Sequence, residues 1–300
     1  MNKKASLKSS FHALLYLLPM LIFIGIFTVY PIFKSIAMSF YVDYNMITGE
    51  MDSVGLDNYK VILSDPKFFK AIKNTMLYVV GVVPASIIIS MVIAIMLNSI
   101  PKLQGFFRSI YFLPFVTSTV AISVVWSWLY HSKYGLINYG LSFLGIDPIN
   151  WLNSPKNAML AVIIMAIWKG LGFNILLFLV GLGNIDDVYY QAAKVDGANT
   201  WSRFKNITLP LLRPTIFLLS IVGIINSFKV FDEVFALFSG RPGPAGSATT
   251  MVYYLFQKFY AQFKYGQAAA SGIILFLIVL VLTLIQNMGN RYFAKRGGQD

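Results

Sequence analysis

Six long apolar runs, separated by shorter polar segments, set the limits on what this chain can become. They lie at about 14–40, 75–97, 110–129, 158–182, 211–235 and 268–286. A helix of about 20 apolar residues matches the hydrocarbon thickness of a bilayer. Inside that layer the backbone must satisfy its own polar groups, which a helix does alone. The expected fold is an all-α polytopic membrane protein with six transmembrane helices in one domain, residues 1–300. Composition agrees, with 57% hydrophobic and only 12% charged residues, against about 25% charged in ordinary globular chains.

Several chemistries drop out at once. There is no cysteine, so disulfides, thiolate metal sites and thiol nucleophiles are excluded. The two histidines, His12 and His131, are far apart in sequence. No G-x-x-x-x-G-K-[ST] sequence is present to cradle a nucleotide, and no H-E-x-x-H to hold zinc. The net charge of +12 does not argue for nucleic acid, because in a membrane chain the placement of charge matters more than its sum.

That placement gives an orientation. Polar segments on the side of both termini carry twelve Lys and Arg, and those on the other side carry nine. The bias is concentrated in the short 98–108 connection, the N-terminal Lys3, Lys4 and Lys8, and the tail with Arg291, Lys295 and Arg296. Short loops and ends are where positive residues set topology, so both termini are expected in the cytoplasm. The first run is too long for the core of a signal peptide and reads as an uncleaved span, kinked at Pro19, at Pro31 or at both. Pro84 lies in the second run, and Pro114, Thr117, Ser118 and Thr119 lie in the third, where small hydroxyl residues suit helix packing. Trp126, Trp128 and Tyr130 form an aromatic belt, and 41–70 reads as an amphipathic interfacial segment.

The polar stretch 184–210 is too elaborate for a plain connector. Asp186 or Asp187 can cap a short helix through Gln191, Ala192, Ala193 and Lys194. Gly197 can stop it with a left-handed residue, Thr200 can cap a second helix, and Pro210 suits the start of the next run. This loop resembles the cytoplasmic EAA loop of ABC-importer permeases of the sugar-type, carbohydrate uptake family 1. Ala192, Ala193, Asp196, Gly197, Ala198, Leu209 and Pro210 carry the match, while Gln191 replaces the usual Glu. Gly55-Leu56-Asp57-Asn58-Tyr59, Asp65-Pro66 with Phe68, Asn74-Thr75, Gly135-Leu136-Ile137-Asn138 and the turn Ser239–Pro244 extend the resemblance over nearly the whole chain.

The resemblance implies a type I ABC importer permease fold in a bacterial cell membrane, in which Tyr190, Gln191, Ala192, Ala193, Asp196, Gly197 and Ala198 form a coupling helix that docks on an ATPase. It also implies partners: a second homologous permease, two ATP-binding subunits and an extracytoplasmic solute-binding protein. This chain would need no cofactor of its own, since ATP and Mg would sit on the partner ATPases. Transport would proceed by alternating access, with 211–235 carrying movement from knob to pocket.

Ionisable residues inside apolar runs are costly and point to function. Lys169 lies roughly 20 Å from Leu182 along a helix, and Asn226, Lys229 and Glu233 recur at helical spacing with Asp232 beside them. One reading is structural, with Lys229 paired to Glu233 on one helix and Lys169 either snorkelling or meeting Asp232 from the other span. The other is a substrate path that combines Lys169, Lys229, Asp232 and Glu233 with Trp168, Gly170, Phe173, Asn174, Asn226 and Ser227. A sugar would give its hydroxyls to the polar groups and its C–H face to the rings. A stand-alone secondary transporter or channel is the alternative, with only Asp232 and Glu233 as coupling carboxylates.

Overall fold

The computed structural model describes residues 3–296, with side chains at 12, 14–100 and 104–290. Lys3, Lys4, Lys8, Lys102, Arg291, Lys295 and Arg296, which enter the charge pattern above, lie outside the described side chains. The fold is all-α apart from one two-residue strand pair, and its described residues group into two compact units.

The first unit holds, of the described residues, 3–65 and 255–276. Helix α1 (Lys3–Ile24) passes through a π-helical turn, Gly25–Val29, into α2 (Tyr30–Met38). The turn sits just ahead of Pro31. A proline has no N–H and crowds the carbonyl four residues back; here the Tyr30 N–H reaches five residues back to Gly25 and makes room. Strand β1 (Tyr41–Val42) pairs antiparallel with β2 (Ser53–Val54), and α3 (Asp57–Leu63) follows. The buried Asn58 amide donates to the carbonyls of Ser39 (3.1 Å) and Tyr41 (2.9 Å), clamping the end of α2 to the strand. A largely buried pair, Lys258 with Asp65 at 3.5 Å, and an exposed pair, Lys264 with Asp43 at 3.2 Å, tie this unit's first part to the 255–276 stretch.

The second unit is built on two long helices, α4 (Pro66–Asn98) and α8 (Ala158–Gly183). Helix α4 has 33 residues, about 50 Å of helix, so it starts nine residues ahead of the expected run. Asn74 donates to the carbonyls of Ser247 (3.0 Å) and Thr249 (2.9 Å), and Thr75 accepts from the Met251 N–H at 3.0 Å. The third run is not one rod. Helix α5 (Pro101–Val116) and α6 (Thr119–Leu129) meet at about 100° across an extended Thr117–Ser118. Pro114 removes one ladder bond, and the Leu113 carbonyl accepts both the Thr117 N–H at 3.2 Å and the Thr117 hydroxyl at 2.8 Å, closing the last turn before the backbone goes extended. Short α7 (Leu136–Ser142) follows, and its Asn138 amide binds Ser132 O, Ile149 O and the Trp151 indole N–H, satisfying a loop that would otherwise bury bare backbone.

After α8 come α9 (Asp187–Val195), α10 (Thr200–Arg203), a π-helical turn Phe204–Thr208 and α11 (Leu209–Leu211). The device at Pro31 recurs at Pro210, with the Leu209 N–H reaching back to Phe204. Helix α12 (Arg213–Phe228) leaves at 59° to the preceding segment and stops seven residues before the expected end of the fifth run; α13 (Asp232–Leu237) continues after a break. A 3-10 turn (Pro244–Gly246), α14 (Met251–Phe256), a π-helical turn (Gln257–Ala261) and α15 (Tyr265–Arg296) complete the chain. Four helices, 14–38, 66–98, 158–183 and 265–290, are long and apolar enough to cross a membrane, and six are if each bent pair is one span.

Two hydrophobic cores line up along α8. One gathers Met159, Val162 and Met165 with Tyr78, Ile122 and Val234; the other gathers Ile175, Phe178 and Leu182 with Leu97, Leu212 and Leu219. Residues 167–174 lie between them.

Candidate functional site

The gap between the two cores is a cavity of about 360 Å³, lined from α4, α5, α6, α8, α12 and α13. Nine of the ten residues expected on a substrate path reach it: Lys169, Gly170, Phe173, Asn174, Asn226, Ser227, Lys229, Asp232 and Glu233. Trp168 does not. It is 42% exposed and sets its ring edge-on to Trp126 at 5.5 Å, because one residue along a helix turns a side chain by about 100°.

The charged residues are arranged differently from the sequence expectation. Lys229 and Glu233 are not on one helical face. Lys229 ends α12, Phe231 is non-helical (φ −145°), and Glu233 belongs to α13. The break is held from a distant segment: the Val230 carbonyl accepts the Thr250 hydroxyl at 2.9 Å. The partner of Lys169 is Glu233 at 3.6 Å, not Asp232, and its ammonium also donates to the Thr119 hydroxyl. That single cation ties α8 to α13 and to the start of α6.

The remaining polar groups are uncommitted. Among the described residues, Asn174, Asn226, Ser227, Lys229 and Asp232 make no side-chain hydrogen bond or ion pair. Facing them, Phe115 and Phe173 stack at 5.2 Å and 20°. Sequence reasoning missed Phe115, Thr119, Tyr78 and Ser86, which also line the cavity. Tyr78 and Ser86 were findable as isolated polar groups on one face of α4; Thr119 was read as packing, and only the break in the third run turns it inward.

Gly170 and Gly172 separate cleanly. Gly170 faces open space, whereas a Cβ on Gly172 would collide with the backbone of Tyr111 and Phe112, so Gly172 lets α5 lie against α8.

At the far end of α8, the 184–210 knob is held by caps. The Asp186 carboxylate accepts from the Val188 N–H at 2.9 Å. Gly197 takes φ +75°, with the Ala198 N–H on Ala193 O (2.8 Å) and the Gly197 N–H on Lys194 O (3.1 Å), the paired bonds of a Schellman stop. The second helix is capped by Asn199, whose side chain accepts from Ser202 N at 2.8 Å, and not by Thr200, which is the first residue inside it. Gln191, Ala192, Asp196 and Gly197 are exposed, with Ala193 and Ala198 half-buried. Tyr190 turns inward, sharing a hydrogen bond of 2.9 Å with Thr208 and packing on the core of Ile175, Phe178 and Leu182. The outward apolar groups are ones the sequence did not single out, notably Val195 (89% exposed) and Trp201 (69%).

The model of the binding-protein-dependent transport system inner membrane component family matches residues 9–296. The lactose transport system permease protein LacF of Rhizobium radiobacter is 36% identical over 279 residues, 91% of each chain. The arabinooligosaccharides transport system permease protein AraP of Bacillus subtilis is 35% identical, covering 90% of this chain and 86% of that one. Among solved structures, a bacterial ABC transporter involved in the import of the acidic polysaccharide alginate aligns with a TM-score of 0.83 at 25% identity, covering 96% of this chain and 98% of its own.

Proposed function

The chain belongs to the family of binding-protein-dependent transport system inner membrane components, and on that premise we propose that it is the permease subunit of an ATP-driven carbohydrate importer whose solute passes through the cavity between the two cores. Uncommitted side chains carry the reading. Asn174, Asn226, Ser227, Lys229 and Asp232 offer donors and acceptors with no partner among the described residues, and the stacked Phe115–Phe173 pair offers an apolar wall. A saccharide presents hydroxyls on its rim and C–H groups on its face, so both surfaces are used. Lys169 and Lys229 balance Asp232 and Glu233 in formal charge, which favours an uncharged saccharide.

The knob is the handle on which a separate ATPase subunit pulls. Its exposed row of Gln191, Ala192, Asp196 and Gly197, with Val195 and Trp201 beside it, supplies a mixed surface on a helix fixed at both ends. ATP and Mg belong to that partner, as do the energetics of closure. A second permease completes the pathway, the binding protein delivers solute on the side away from the knob, and both termini share the knob's cytoplasmic side. Closure of the ATPases moves the knob, and α11 with α12 carries the displacement to Asn226 and Ser227. Lys169, held by Glu233 and Thr119, must be released or carried along when the walls separate.

The test is uptake by the reconstituted transporter of a saccharide its binding protein takes. Asn226→Ala and Asn174→Ala are expected to cut solute-stimulated uptake roughly tenfold each, since each removes a hydrogen bond of about 1.5 kcal/mol in a desolvated site, with ATPase copurification unchanged. Wild-type uptake in both variants overturns the path assignment.

A further inference from the structure

Lys169 and Glu233 reach each other from different elements on the wall of the central cavity, Lys169 from α8 and Glu233 from the first turn of α13, with Nζ and Oε1 3.6 Å apart. That is close enough for an ion pair and longer than the roughly 2.7–3.2 Å of a good hydrogen bond. The break after Lys229 makes the meeting possible, because an unbroken α12 would leave Glu233 on the Lys229 face of one helix. Both side chains are largely buried, and a neighbouring chain that closes the cavity can only bury them further.

Each partner keeps bonding capacity. An ammonium has three N–H donors; one is taken by the Thr119 hydroxyl and one by Glu233, which leaves the third without a partner among the described residues. A carboxylate has two acceptor oxygens, and the second oxygen of Glu233 makes no hydrogen bond or ion pair among the described residues. A spare donor beside a spare acceptor complements two adjacent hydroxyls, since one hydroxyl accepts while the other donates. A carboxylate in the same place fares differently. It gives up its water, which is costly for an ion in a low-dielectric site, and repulsion from Glu233 offsets the attraction of Lys169. A repulsive group of this kind gives specificity by making the wrong ligand unfavourable. Asp232 lines the same cavity but makes no ion pair with Lys169, so the charge that a solute meets at Lys169 is decided by Glu233.

On the premise that a saccharide passes through this cavity, we propose that Glu233 sets the charge specificity of the path: with Lys169 it holds two adjacent hydroxyls of a neutral sugar, and it excludes sugar acids that Lys169 alone would attract. Cellobiose and cellobiouronic acid, which differ by one carboxylate, are titrated into the transporter purified with its native subunits and without its binding protein. Each Kd is read by saturation-transfer-difference NMR, which reports weak binding, and the ratio of the two cancels any general change in the site. The native protein is expected to prefer cellobiose. Glu233→Gln should cut that preference about tenfold, the margin between a charge-assisted hydrogen bond and a neutral one. Glu233→Asp should retain it, and Lys169→Met added to Glu233→Gln should remove the gain in acid binding. Lys169→Met alone should widen the preference, because Glu233 then repels unopposed. Equal affinity of the native protein for the two sugars overturns the proposal, as does an unchanged ratio in Glu233→Gln or a gain of acid binding that survives Lys169→Met. Where Glu233→Gln does not assemble, Lys169→Met decides, and a ratio equal to the native one overturns the proposal. Binding of neither sugar to the native protein or to any variant is a different failure, which removes the saccharide path itself.

Discussion

Lys169 shows how much one side chain can hold. Its ammonium joins Glu233 at 3.6 Å and the Thr119 hydroxyl, with both charged side chains about one-fifth exposed. Glu233→Gln leaves the cation with neutral partners only, and a loss of roughly 1–3 kcal/mol is expected. Replacing both residues by Met should recover most of that, so a double-mutant cycle on thermal unfolding of the purified transporter should give a coupling above about 1 kcal/mol. Additive losses would mean that the pair holds nothing together. Gly172 and Gly170 give a second contrast two residues apart. Gly172→Ala pushes a methyl into the α5 backbone and should cost about 1–3 kcal/mol, seen as a lower melting temperature. Gly170→Ala meets no atom and should leave the melting temperature level or slightly raised. The residue types of the cavity were legible because charge and amide groups inside apolar runs are conspicuous. Trp168 misled because composition does not tell which way a helix is turned.

Helix stops explain most of the remaining differences between reading and structure. The run 158–182 and helix Ala158–Gly183 nearly coincide, since no residue in between competes for the backbone. The third run breaks just after Pro114, where the Thr117 hydroxyl shares the Leu113 carbonyl with the Thr117 N–H, and the fifth where the Thr250 hydroxyl, twenty residues away, donates to the Val230 carbonyl. The first kind of signal lies in the sequence and was underweighted; the second depends on which segment folds beside which, and no local pattern reports it. The Gly197 stop was readable because a left-handed cap has a strong residue preference, while the choice between Asn199 and Thr200 as the next cap was a one-residue question that geometry decides. Gly197 has open space around it, so its cost on substitution is conformational only. Gly197→Asn, which tolerates positive φ, is expected to retain the ATPase subunit on copurification. Gly197→Val should lose about 1–2 kcal/mol of local stability and release it. Equal retention in both would separate the cap from docking.

For the whole molecule, orientation can be read out directly because the chain has no cysteine of its own. A single cysteine at Ile47 (91% exposed) is expected to react with an impermeant maleimide in intact cells, and one at Val195 only after the membrane is opened; the reverse pattern would invert the proposed topology. The bend of about 100° between α5 and α6 has a consequence of its own. Two helix ends meet there beside Thr119, which lines the central cavity, and helix ends leave several amide and carbonyl groups without ladder partners. Oil cannot satisfy them, so water must come in. In deuterium oxide, the amides of 118–121 should therefore trade their protons quickly while those in the middle of α8 hold theirs for hours, marking a damp seam through an otherwise dry wall.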